Sequence, residues 1–218
     1  MKKGTILIAA GVICISAALI ITGVNIGTDL AAGRAARDAL EAVGPYVEEP
    51  VPKNGRLTID TPEDMEGHAD DIMYPDYVVN PGIALPVKVI DDEEYVGILE
   101  LPTLEKSLPV INEWSYARLR KSPCRFSGTP YLKNMVICAH NYSRHFGDMG
   151  DLRYGDPVVF TDMAGNVFTY EVTEIEKLDP TAFEKMTAGE YPLTLFTCTV
   201  GGASRVTVRC KEAVHENQ

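Results

Sequence analysis

The stretch LTLFTCTVGGASRVTVRC, residues 193–210, predicts a hairpin with a thiol at its turn. Two β-branched, apolar segments, 193–198 and 205–210, flank a six-residue loop that contains two consecutive glycines. The chain can therefore reverse and pair the two segments as antiparallel strands. This pairing puts Arg205 roughly opposite Cys198. Arg209 shares that strand face but lies about 13 Å further along, and we predict a structural or surface role for it.

The chain upstream contains similar short, β-branched segments separated by Gly, Pro, Asn and Asp. The predicted strands are residues 87–90, 95–101, 108–111, 135–140, 157–161 and 167–178, followed by 193–198 and 205–210. A helix is predicted within 112–121, with Trp114 and Leu119 as core anchors, and a short helix or turn within 181–189. Many short strands and little helix predict a mainly β domain, either a mixed barrel or a sandwich.

The N-terminal 28 residues predict a membrane anchor. Lys2 and Lys3 precede an uncharged run, residues 5–24, and twenty helical residues span about 30 Å, one hydrocarbon thickness. A cleaved signal peptide is the alternative, but its apolar region would be shorter. Residues 29–43 predict a stalk helix, solvated and without a partner, that Gly44-Pro45 ends.

Residues 48–86 are rich in proline and acid and read as a linker, so 29–86 is assigned to stalk and linker and 87–218 to the globular domain. The whole chain of 218 residues has a net charge of −11. That charge, without any basic patch, argues against a nucleic-acid partner.

Five cysteines are scattered along the chain, and none forms a CxxC pair. Two disulfides are arithmetically possible within the globular domain, but buried free thiols are the expectation. Apart from His215 in the C-terminal tail, the globular domain contains two histidines, His140 and His145, and both are candidate general bases. His140 ends an apolar strand, which places its ring at the rim of a sheet.

Cysteine, histidine and arginine at neighbouring strand ends are sufficient for acyl transfer. A neighbouring cation favours the thiolate, which is the nucleophilic form. Histidine can then protonate a leaving amine, and arginine can stabilise a developing oxyanion. Spacing alone does not establish that Cys198, His140 and Arg205 converge.

Three motifs, in their order along the chain, resemble those of the sortase family. LTLFTC at 193–198 followed by Arg205 is similar to the TLxTC motif and the arginine that opens the next strand. NMVICAH at 134–140 is similar to the strand that leads to the catalytic histidine. FSGTP at 126–130, Leu152 and Gly155-Asp156 also fit, and the resemblance covers about 95–211.

The resemblance implies an eight-stranded β-barrel with short helices, preceded by a transmembrane helix. It implies Cys198 as nucleophile, His140 as general acid and Arg205 as the residue that positions substrate and stabilises charge. Thr197 is a further candidate for supporting the oxyanion or the substrate backbone. No cofactor and no metal are implied, although some members of the family bind calcium; the acidic run near residues 63–71 is interpreted as solvated.

The implied function is that of a cysteine transpeptidase on the outer side of the cell membrane. It would cleave an LPxTG-like sorting signal of a secreted protein through a thioester. The acyl group would pass to an amine of a cell-wall precursor or of a pilin. The loop after His140 matches no one subclass.

Three other interpretations fit parts of the sequence. A metal site could use Cys138, His140, His145 and either Asp148 or Cys198, although the usual ligand spacings are absent. An L,D-transpeptidase would have histidine and glycine just before the cysteine, where Phe196-Thr197 stand. A binding module with the same barrel would have lost its chemistry, yet all three catalytic positions are filled.

Overall fold

The computed structural model describes residues 3–47, 75–199 and 201–213. The helices are α1 (Lys3–Val43), α2 (Asp76–Val79), α3 (Tyr116–Leu119) and α4 (Phe183–Met186). The strands are β1 (Lys88–Ile90), β2 (Glu93–Leu101), β3 (Lys106–Ile111), β4 (Cys124–Ser127), β5 (Met135–Ala139), β6 (Pro157–Asp162), β7 (Val167–Leu178), β8 (Leu193–Cys198) and β9 (Arg205–Glu212).

Eight strands close into a barrel in the order β2-β3-β4-β5-β8-β9-β7-β6, and β6 pairs back to β2. β1 is an additional strand on β2. The prediction of an eight-stranded barrel is therefore confirmed. The closure depends on Gly97, where an added Cβ would lie 2.1 Å from the Thr161 carbonyl oxygen.

Strand residues alternate between the barrel interior and its outer face. The interior is apolar, with buried side chains such as Ile137, Leu195 and Val208 in one core cluster. A second cluster lies on the outer face of β5 and β8, where Cys138 and Phe196 pack with residues from the α3 and α4 regions. We call the outer surface of β5 and β8 the floor. Residues of the α3 region and of the α4 region border it.

The helix predicted within 112–121 is present but short, one of its two predicted core anchors is wrong, and one strand of the barrel is absent from the prediction. The helix expected within 112–121 shrinks to the four residues of α3, which Ser115 caps by accepting a hydrogen bond from the Arg118 amide. Leu119 is buried as expected, but Trp114 is 43% exposed and is not a core anchor. β4 was not predicted, because its four residues show no clear apolar alternation.

The N-terminal helix α1 runs unbroken for 41 residues. An 18-residue window within it has a mean hydropathy of 2.6, and the helix is long and apolar enough to cross a membrane. The prediction of a solvated stalk is wrong, because Ala32, Ala36 and Val43 on its C-terminal half are buried against the domain.

The segment that precedes β1 also packs on the barrel. Tyr77 of α2 stacks on Tyr131, with ring centroids 4.6 Å apart and planes 6° apart. Leu85 is buried in the main core cluster. Residues 48–74, which include the acidic run and His68, lie outside the described residues, as does His215.

Candidate active site

Cys198 and Arg205 occupy paired positions at one end of the hairpin formed by β8 and β9. Paired residues in an antiparallel ladder have Cα atoms about 4.5–5.5 Å apart, with side chains on the same face. Cys198 is partly exposed and has a free thiol. A cation and a reachable thiol therefore share one rim of the barrel.

His140 reaches the same rim because β5 and β8 are parallel neighbours. Ala139 pairs with Thr197, so His140 follows β5 at the level of Cys198. Burial lowers the pKa of His140, and the nearby charge of Arg120 lowers it further. The topology thus brings the three strand ends together. Within the described residues, no hydrogen bond joins the Cys198 Sγ to the histidine or to Arg205.

The hairpin loop orients the Arg205 guanidinium. Its Nη1 donates to the carbonyl oxygens of Gly202 and Ser204, each at 3.2 Å. The loop is closed by a bond from the Thr199 amide to the Ser204 carbonyl, at 2.9 Å. With Nη1 held in this way, the hydrogens on Nε and Nη2 are the ones that can be offered to a substrate oxygen.

Thr197 ties the two strands that carry Cys198 and His140. Its side chain is buried, and its Oγ1 donates to the Ala139 carbonyl oxygen at 2.9 Å. The hydroxyl hydrogen is therefore committed to a partner on the neighbouring strand. The support for the oxyanion or the substrate backbone that the resemblance implies for Thr197 stays a prediction.

Aromatic side chains lead from the surface toward Cys198. Phe196 lies two residues before the cysteine, on the same face of β8. Its ring meets Phe126 edge to face at 5.3 Å, and Phe126 in turn stacks on Trp114 at 5.6 Å. Sequence reasoning missed this aromatic platform (Trp114, Phe126 and Phe196). The spacing of two residues between Phe196 and Cys198 is the signal that could have predicted that Phe196 lies on the same strand face as the cysteine.

Arg209 serves the fold, as predicted. Its guanidinium is buried and donates to the carbonyl oxygens of Met186 and Lys185 and to Thr194 Oγ1. It also pairs with Glu176, at 3.0 Å. These bonds fasten the α4 region, which borders the floor, to the barrel.

His145, the second candidate base, is fully buried, and neither of its ring nitrogens has a hydrogen-bond partner within the described residues. Burial lowers its pKa to about 4. It is inaccessible to a substrate, which leaves His140 as the candidate base.

The metal and disulfide alternatives find no support in the described part of the chain. No group of three or more His, Cys, Asp or Glu side chains there could hold a metal ion. All five cysteines are free thiols. Burial raises the pKa of Cys124 and Cys210 to about 12 and raises that of Cys138 as well. These three are the inert buried thiols that the sequence predicted.

Comparison with known proteins gives one family match. The Sortase domain family matches residues 99–213. Among solved structures, Sortase C of Streptococcus pneumoniae is 23% identical with a TM-score of 0.50, over 60% of this chain and 73% of that chain. A Sortase D5 transpeptidase of Clostridium perfringens is 18% identical with a TM-score of 0.51, over 58% of this chain and 83% of that one. These two show a shared fold. No curated protein matches the chain.

Proposed function

This chain belongs to the sortase family of transpeptidases, and from that premise we propose that it transfers a secreted protein to an amine through a thioester on Cys198. The proposed donor carries a C-terminal LPxTG-like sorting signal, which is cut between Thr and Gly. The observation that carries the proposal is the β8–β9 register, which pairs Cys198 with Arg205 at the strand end beside His140.

In the first half-reaction, the Cys198 thiolate attacks the carbonyl carbon of the signal's threonine. The C–N bond to glycine breaks, and the His140 imidazolium gives its proton to the leaving amine. The lowered pKa of His140 makes that imidazolium a stronger acid and leaves it less populated at neutral pH. Arg205 stabilises the charge on the carbonyl oxygen of the tetrahedral intermediate through its free N–H groups.

In the second half-reaction, an acceptor amine attacks the thioester carbonyl. His140 takes the proton of the attacking amine, the C–S bond breaks, and the thiolate is restored. One amide bond is broken and one is formed, so the cycle needs no oxidant and no reductant. A water molecule in place of the amine would give hydrolysis.

The aromatic platform is the proposed seat for the apolar part of the sorting signal. Phe196 lies on the same strand face as the nucleophile and two residues, about 6–7 Å, away from it. The exposed ring of Trp114 extends that apolar surface to solvent. An extended peptide on this floor would place its apolar side chain near Phe196 and its threonine carbonyl at Cys198.

We further propose that α1 anchors the chain in the cell membrane with the barrel outside. The acceptor is an amine of a cell-wall precursor or of a pilin. The Sortase C structure of Streptococcus pneumoniae is described in terms of pilin substrate specificity, which supports the second acceptor. The unbroken apolar helix supports the anchor.

The test offers the full chain, in detergent micelles, a panel of sorting pentapeptides and a set of amines. Mass spectrometry should find the acyl group on Cys198, and amine should replace glycine in the product. Cys198→Ala should abolish turnover, His140→Ala should nearly abolish it, and Arg205→Lys should lower it strongly. Wild-type rates in any of the three variants would refute the assignment.

A further inference from the structure

The C-terminal half of α1, residues 29–43, docks on the loop that begins with the candidate catalytic histidine. We call residues 140–150 the His140 loop. The Asp29 carboxylate accepts hydrogen bonds from both the amide and the hydroxyl of Ser143, the first at 2.7 Å. These two residues are separated by 114 positions in the chain. A residue close to the apolar span therefore holds the loop directly.

Small side chains let the helix approach the loop closely. An added Cβ on Gly33 would lie only 2.5 Å from the Cγ of Arg144. Ala32 and Ala36, on the same helix face, are buried. The backbone of Ala32 also lies near the His145 ring and favours the protonated form of that ring. The two groups are nevertheless not in hydrogen-bonding geometry.

The loop transmits this contact to His140 through packed rings. The Tyr142 ring lies 5.5 Å from the buried His145 ring and 4.9 Å from the His140 ring, measured between centroids. The carbonyl of His140 accepts the Phe146 amide at 3.2 Å. The Tyr142 ring therefore lies between the His145 ring, next to α1, and the ring of the candidate catalytic residue His140.

Lys106 of β3 fixes the other side of the loop. Its Nζ donates to the carbonyl oxygens of Ser143 and His145, each at 2.7 Å, and pairs with Asp148. Ser143 is therefore held between a cation on the barrel and a carboxylate on α1. Removing the carboxylate would leave the loop fastened from one side only.

We propose that Asp29, assisted by the close approach at Gly33, is a positioning residue that sets the His140 imidazole for proton transfer. The proposal rests on the proposed function, since it assumes that His140 is the general acid. It assigns the juxtamembrane half of α1 a part in turnover beyond anchoring. The affected step is protonation of the leaving amine, while the residues of the aromatic platform are not part of the His140 loop.

The test compares Asp29→Ala with Asp38→Ala in the full chain in micelles. Asp38 is an exposed acid on the same helix, so the second variant matches the change in charge. D29A should lower kcat about tenfold, the scale of a small displacement of a catalytic group. KM for the sorting peptide and the alkylation rate of Cys198 should stay at wild-type values. Asp29→Asn, which keeps an oxygen acceptor for the Ser143 amide, should recover part of the loss.

A second pair of variants probes the close approach. Gly33→Leu should lower kcat in the same way, whereas Gly27→Leu, where nothing lies within 4 Å of an added Cβ, should not. Hydrogen exchange supplies a measurement that does not depend on turnover. The peptide spanning residues 141–149 should exchange faster in D29A and G33L than in the two controls.

Equal kcat and equal exchange in D29A and D38A would overturn the inference. A fall in kcat accompanied by a matching rise in KM and a slower Cys198 alkylation would also overturn it, because that pattern reports general destabilisation. A wild-type chain that forms no thioester would instead refute the proposed function. An active wild type with an unaffected D29A variant would refute this inference alone.

Discussion

Cys198 and Arg205 face each other across the β8–β9 ladder, while Arg209, four residues further along, pairs with Thr194 deep in the sheet. Two arginines on one strand face therefore have different surroundings. Arg205 is partly exposed and bonded to loop carbonyls, and Arg209 is buried among bonds to the α4 region. Their substitutions should separate chemistry from stability.

Arg205→Lys should lower turnover by a large factor and leave the melting temperature unchanged, because lysine keeps the charge but loses the planar set of donors. Arg209→Ala should do the reverse. It removes several buried hydrogen bonds, each worth about 1 kcal/mol, and should lower the free energy of unfolding by about 2–3 kcal/mol. Thermal unfolding and peptide cleavage measure the two effects. A stable, inactive R209A variant would contradict this division.

Thr197→Val should destabilise the barrel next to the active site. Valine keeps the shape but leaves the buried Ala139 carbonyl without the Thr197 hydroxyl, at a cost of about 1–2 kcal/mol. Thr197→Ser keeps the donor and is the control. Urea unfolding checks the prediction. If Val and Ser unfold at the same urea concentration, the Thr197–Ala139 bond contributes nothing.

Iodoacetamide at pH 8 should label Cys198 and leave Cys124, Cys138 and Cys210 unlabelled. Burial raises the pKa of Cys124 and Cys210 to about 12, so only about one molecule in 10⁴ carries either thiolate at that pH. Peptide mapping by mass spectrometry distinguishes the sites, including Cys14 of α1. Labelling of Cys138 in the folded protein would show that the residues covering the outer face of β5 and β8 move aside.

Trp114→Ala should raise KM for the sorting peptide several-fold with little change in kcat. The substitution removes the exposed end of the aromatic platform, and an aromatic contact of this kind contributes about 0.5–1.5 kcal/mol beyond its area. Tyr154→Ala, at an exposed aromatic residue for which no role is proposed, is the control. Equal KM values in the two variants would place the peptide elsewhere.

His145 should make stability depend on pH. Its pKa is about 4 in the folded chain and about 6.5 when unfolded, so the unfolded chain binds more protons between these values. The free energy of unfolding should therefore fall as the pH drops from about 6.5 to 4, by about 3 kcal/mol at most. Besides burial, the charges of His140 and Lys106 oppose protonation and Asp29 favours it.

His145→Leu is the matched variant, since it keeps a similar volume and loses no hydrogen bond. It should remove most of this pH dependence, measured by urea unfolding at pH 7.5 and pH 4.5. His140→Ala, which keeps His145, should retain most of it. An unchanged pH dependence in H145L would assign the effect to another group.

The strands of the barrel were predictable from local pattern, and the exceptions show where that pattern ends. β7 and β8 alternate or are continuously apolar, and their turns contain glycine. β4 has no such signature: its Arg125 is held by Asn112 and by the Gly128 carbonyl. Asn112 lies in another segment and β4 pairs with β3 and β5, so the strand follows from tertiary contacts.

Only part of the candidate site could be predicted from local sequence. A six-residue loop limits the register of a hairpin, which is why Arg205 could be placed opposite Cys198. His140 required the parallel pairing of β5 with β8, whose residues are nearly sixty positions apart. Nothing in its own segment shows that pairing, and the expectation came from the family resemblance.

The docking of α1 was missed for a similar reason. Its buried face consists mainly of alanine and glycine, which give little apolar contrast with the exposed face. The hydrogen bonds that hold it come from Ser143, more than a hundred residues away. A weakly amphipathic helix was therefore interpreted as free.

With α1 as the proposed membrane anchor, the continuity of the helix should make the orientation of the barrel depend on the thickness of the bilayer. Only about 7–8 Å of helix separates Val24 from Asp29, at 1.5 Å per residue, and the helix does not break between them. An apolar span longer than the hydrocarbon layer tilts to fit. Through a rigid connection, that tilt would move the end of the barrel that carries Cys198 toward or away from the lipid headgroups. We therefore expect lipid chain length to alter how easily a bulky donor protein reaches Cys198.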